Sequence, residues 1–105
     1  MIVFNYFKNK DKVRFILEGH ADYKTNGFDP VCGMISVLAQ SAIYGCQKHG
    51  STAKIVRYVK GQVTIEASKH DDIALAIMDT CAEGIRQVIR NFPQCAREEG
   101  KHGYK

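Results

Sequence analysis

The sequence predicts an α+β fold in ββαββα order, with two β-hairpins and two long helices, the helices packed on a mostly antiparallel or mixed sheet. Three observations carry this. Two pairs of short segments rich in Val, Ile, Phe and Tyr are each joined by a polar turn. Two longer segments repeat apolar residues every three to four positions, the period of a helix with one buried face. Finally, these runs alternate along the chain as hairpin, helix, hairpin, helix.

The first hairpin comprises residues 2–7 and 13–18 about the turn Asn9-Lys10-Asp11-Lys12. The first helix spans 31 to about 48, with Val31, Ile35, Leu38, Ala39, Ala42, Ile43 and Cys46 on its apolar side and Gly50 closing it. The second hairpin joins 53–59 to 62–67 through Lys60-Gly61, and Ile55, Arg57 and Val59 alternate with Val56, Tyr58 and Lys60, which predicts one half-buried face. Asp71-Asp72 open the second helix, where negative charge suits the positive end of the helix dipole; Ile73 to Phe92 carry its apolar stripe and Pro93 stops it. How the two hairpins join is open at this stage. The polar stretch 96–105, with two glycines, reads as a flexible C-terminal tail, leaving a single domain over 1–95.

A chain of 105 residues with 45% hydrophobic and 25% charged residues matches a soluble globular domain, too polar for a membrane protein and too apolar for a disordered one. Its start has neither the basic leader nor the cleavage site of a signal peptide, so a cytoplasmic protein is expected. Cys32, Cys46, Cys81 and Cys95 form no C-x-x-C pair and read as reduced thiols, three of them with ordinary core roles. No metal-ligand spacing and no phosphate-cradling glycine motif occurs, so neither metal nor cofactor is expected. The net charge of +4 is a mild basic excess.

The chemistry-bearing segment lies between the first hairpin and the first helix. Gly19-His20-Ala21 closes a strand and Asp29-Pro30-Val31-Cys32 opens a helix, which places an imidazole and a thiol at the two ends of one loop. Asp29 suits the N-cap, and Pro30 suits the first helical position because its missing N–H would have had no intrahelical partner. Cys32 then falls third in the helix, where the dipole and the unpaired N–H groups favour a thiolate and offer an oxyanion hole. The Asp29 carboxylate opposes that charge, and a protonated His20 would offset it; the alternative role for Asp29 is to orient the imidazole as the third member of a triad. Ser36 follows one turn later on the same helix face. Tyr23 and Phe28, near the Asn26-Gly27 turn signal, are placed to meet an apolar substrate side chain.

Taken together, Gly19-His20-Ala21 and Asp29-x-Val31-Cys32-x-x-x-Ser36 on a ββαββα chain of this length resemble Prp, the ribosomal-processing cysteine protease family. The resemblance implies a homodimeric cytoplasmic protease that removes the N-terminal extension, ending in aromatic residues, of the twenty-seventh large-subunit ribosomal protein. It implies Cys32 as nucleophile and His20 as general base, with Asp29 and Ser36 in support; the long link itself, with Gly19, Ala21, Tyr23, Gly27 and Phe28, reads as a substrate loop. Two positions depart from the family pattern: Asp22 where glycine is common, and Pro30 where an aliphatic residue is common. The rival reading is a non-catalytic ribosome-associated or RNA-binding module, with Lys8, Lys10, Lys12, Arg14, Lys54, Arg57 and Lys60 meeting phosphates and Tyr6 and Tyr58 stacking bases. A redox-sensing thiol is a third, one that needs Cys32 but not His20.

Overall fold

A computed structural model describes residues 1–20, 29–59 and 61–99. Strands β1 (Ile2–Lys8) and β2 (Lys12–Gly19) form the first hairpin, and β3 (Lys54–Val59) and β4 (Gln62–Ser68) the second. Helices α1 (Pro30–Lys48) and α2 (Asp72–Asn91) follow one hairpin each. A fifth strand, β5 (Ala96–Glu99), completes one sheet of order β3-β4-β2-β1-β5. The hairpins join through an antiparallel β2–β4 pairing that sets Glu18 opposite Gln62 and Lys12 opposite Ser68.

Every second residue of the central strands points to one face. Ile2, Phe4 and Tyr6, Val13, Phe15 and Leu17, and Ile65 and Ala67 form a single buried cluster with the apolar sides of both helices. Phe15 meets Phe4 edge-on at 5.0 Å between ring centroids, a geometry aromatic quadrupoles favour. The Tyr6 hydroxyl, otherwise stranded in the core, donates to the Asp79 carboxylate on α2. The helices run antiparallel and approach closely through two glycines. A Cβ on Gly84 would lie 2.7 Å from Leu38, and one on Gly45 3.1 Å from Ile77.

Two sequence expectations need correction. The tail placed at 96–105 begins instead with an ordered strand: β5 pairs parallel to β1 from Ile2↔Ala96 to Asn5↔Glu99, and Ala96 is buried. Its residues carry little apolar pattern because it is a short edge strand, held by the ladder and by Arg86 of α2, whose guanidinium grips Glu98 at 2.9 and 3.0 Å. The half-buried face expected for the third strand is also absent, since all six residues of β3 are exposed. β3 is the opposite edge of the sheet, and the register shift between Ile55 and Arg57 breaks the two-residue alternation on which that expectation rested.

Candidate active site

The start of α1 is built as its residues dictate. Asp29 takes an extended N-cap conformation, and its Oδ1 accepts the Cys32 N–H at 3.1 Å. Its carbonyl accepts the Gly33 N–H, also at 3.1 Å. Pro30 begins the helix and Val31 is wholly buried, which fixes the orientation of the first turn. Cys32 is half-buried, whereas Cys46, Cys81 and Cys95 are buried. Burial pushes the Cys46 and Cys81 thiols up, away from the reactive thiolate. Cys32 is thus the thiol with both solvent access and a helix N-terminus beneath it.

His20 arrives from the end of β2. Gly19 has φ +98, which only glycine adopts readily, and a Cβ there would lie 2.2 Å from the Met1 carbonyl oxygen. The end of β2 is therefore built around a missing side chain. Around it the Met1 ammonium donates to the His20 carbonyl, and the Gly19 N–H donates to the Gly61 carbonyl at 2.9 Å.

His20, Cys32 and Ser36 line one cleft of about 290 Å³ between α1, the end of β2 and the β3–β4 hairpin. Ile2, Leu17, Ile35, Ala39 and Val63 give it apolar surface, and Tyr58 and Val59 line it from β3. Tyr58 is tied back to α1, its hydroxyl accepting the Gln40 side-chain N–H at 3.1 Å. The arrangement joins a thiol, an imidazole and an apolar trough of a size to take part of an extended peptide.

Of the sequence-selected residues, Gly19, His20, Cys32 and Ser36 come together in this cleft. Asp29 does not line the cleft; it caps α1, one carboxylate oxygen committed to the Cys32 amide. Ala21, Tyr23, Gly27 and Phe28 lie outside the described residues. Free helix-start amides for an oxyanion are fewer than the sequence suggests: Pro30 has none, those of Cys32 and Gly33 donate to Asp29, and Val31 is wholly buried. Sequence reasoning assigned no site role to Gln40, Val59, Gly61 or Gln62. Their signal is positional and appears only once Glu18 pairs with Gln62 across β2 and β4.

The comparisons agree with this geometry. A likeness in fold is evident to the Staphylococcus aureus ribosomal processing protease Prp bound to a covalently linked product peptide, with TM-score 0.82 and 23% identity over the whole of both chains. The same protease with a substrate peptide gives 0.79 and 22%, again over the whole of both chains. SMU.848 from Streptococcus mutans gives 0.72 and 19%, covering all of this chain and 96% of that one. No curated protein matches the sequence. The family model described as cysteine protease Prp matches residues 1–97, nearly the whole described fold with the Cys32 cleft inside it, and so this chain belongs to the Prp family of cysteine proteases.

Proposed function

We propose that the protein is a cysteine endopeptidase that removes the N-terminal extension of the twenty-seventh large-subunit ribosomal protein, with Cys32 as nucleophile and His20 as general base and acid, working as a homodimer in the cytoplasm. The observation that supports the dyad is that His20 and Cys32, from different elements, line one apolar cleft. The substrate class draws on the S. aureus relative, a ribosomal processing protease whose product peptide is covalently linked.

In this reading His20 takes the Cys32 proton, and the thiolate attacks the scissile carbonyl carbon. The resulting oxyanion meets the positive end of α1. His20 then gives its proton to the leaving amine as the C–N bond breaks, leaving a thioester on Cys32. Water, deprotonated by His20, attacks the thioester and releases the carboxylic acid and the thiol. Ser36, exposed one turn into α1, stands beside the scissile region as a hydrogen-bonding group.

The homodimer rests on the outward side of α1. Met34, Val37 and Tyr44 are 38%, 62% and 62% exposed, and Lys48 is the sole charged residue in the helix. An apolar face without charges can meet its own copy about a two-fold axis without opposing like charges. The variant Val37→Glu/Tyr44→Glu is expected to elute as a monomer; an unchanged dimer would place the interface elsewhere.

The test of the activity is incubation with a peptide spanning the extension of the source organism's own ribosomal protein, products being read by mass spectrometry. A single cut, lost in Cys32→Ala and in His20→Ala, is expected. A cut that survives in His20→Ala would remove the dyad, and no cut by folded protein would turn attention to the RNA-binding reading.

A further inference from the structure

Gly61 closes the β3–β4 hairpin at φ +82 and touches the end of β2 twice. Its carbonyl accepts the Gly19 N–H at 2.9 Å, which secures the backbone one residue before His20. Its Cα side faces the imidazole itself. A Cβ built on Gly61 would lie 3.1 Å from His20 Nε2 and 3.3 Å from Cε1. The edge of the ring therefore occupies the space where the side chain of any other residue would begin.

We propose that Gly61 is the seat of the His20 imidazole, a positioning residue that holds the ring in the cleft by having no side chain. The inference rests on the reading of His20 as the acid–base group. His20 is exposed and stands just beyond the end of β2, so its backbone alone leaves the ring free to turn about two side-chain bonds. A general base must stay within hydrogen-bond reach of the proton it moves, and misplacement by about 1 Å can cost on the order of 100-fold in rate. The hairpin supplies a restraint by holding the backbone before the ring with its carbonyl, and at Gly61 it leaves the ring edge the room that a side chain would take. Because the distances lie at 3.1 and 3.3 Å, an added methyl group displaces the ring by a few tenths of an ångström rather than expelling it.

The chain contains its own control. Gly50 has nearly the same backbone, φ +75, yet a Cβ there meets nothing within 4 Å. Gly50→Ala thus reports the cost of a positive φ alone, and Gly61→Ala that cost plus the contact with the ring. Gly61→Asn separates the two at one position, since Asn tolerates positive φ and still carries a Cβ.

The experiment compares wild type, Gly50→Ala, Gly61→Ala and Gly61→Asn by three readouts. These are the NMR titration of the His20 ring, assigned against His20→Ala; the pH profile of alkylation at Cys32; and kcat and KM on the ribosomal-protein peptide. Both Gly61 variants are expected to move the ring resonance and the alkylation profile and to lower kcat about 10-fold with KM within about twofold. Gly50→Ala is expected to match wild type in all three. Superposable His20 and Cys32 profiles in folded Gly61→Asn would overturn the proposal, as would an equal change in Gly50→Ala. If wild type leaves the peptide uncut, the protease reading fails by itself, while the titration and alkylation still decide whether Gly61 seats the ring. If Gly61→Ala does not fold, Gly61→Asn carries the comparison.

Discussion

At the residue scale, Asp29 has two conceivable tasks, capping α1 and orienting His20, and the geometry ties it to the first. Asn caps a helix as well as Asp but carries no charge. Asp29→Asn is therefore expected to keep its thermal midpoint and to alkylate Cys32 at lower pH than wild type, because a negative charge beside the thiolate has gone. Asp29→Ala is expected to lose about 1 kcal/mol. A collapse of turnover in Asp29→Asn with the fold intact would instead assign the carboxylate to the imidazole. At Gly19, alanine combines a disfavoured φ with a Cβ 2.2 Å from the Met1 oxygen. Gly19→Ala should cost about 1–3 kcal/mol and lower the melting temperature by several degrees, checked by thermal denaturation. The cap at Asp29 and the proline after it were legible in the sequence, since each rests on neighbours within one loop, and so was the choice of His20 and Cys32, which line one cleft. The crowding of Gly19 by Met1 and of Gly61 by His20 was not, because those partners lie 18 and 41 positions away.

At the element scale, Asp71 ties the start of α2 to the link between α1 and β3. One carboxylate oxygen caps α2 through the Ala74 N–H at 3.0 Å; the other accepts from Ser51 Oγ at 2.8 Å and from the Thr52 N–H and hydroxyl, both at 2.9 Å. These bonds, that of Ala74 first, lower its pKa from the ordinary 3.8 to about 2. With the folded value below the unfolded one, the stabilisation is complete above about pH 4 and disappears as pH falls towards 2. Urea midpoints measured from pH 6 to 2 are expected to fall over that window, and to fall less in Asp71→Asn. Above the window, Asp71→Ala is expected to be less stable than wild type by about 1–2 kcal/mol. The acidic start of α2 could be read from the sequence, and so could the periods of both helices. What failed was the reading of β3, whose alternation looks half-buried in isolation but falls at an uncovered edge with a register shift. Burial of a strand depends on which side of the sheet the helices reach, a property no single strand encodes.

At the scale of the whole molecule, β5 shields the edge of β1 and couples α2 to the sheet through Arg86 and Glu98. A chain ending at Cys95 leaves that edge bare, and it is expected to melt lower and to aggregate on heating, as light scattering would show. Glu98→Ala tests the coupling alone, with an expected loss of about 1 kcal/mol in urea unfolding. Neither strand nor coupling was legible beforehand: Ala96-Arg97-Glu98-Glu99 offers one small apolar residue, and β1 rather than intrinsic propensity makes it a strand. The pairing of β2 with β4 also bears on timing. Synthesis delivers His20 and Cys32 together with the first helix, but the cleft that unites them takes residues up to Val63. A nascent chain thus holds both reactive groups while the wall opposite them is still to be made. The cleft that His20 and Cys32 line exists as one surface only after the second hairpin has emerged and closed against the first.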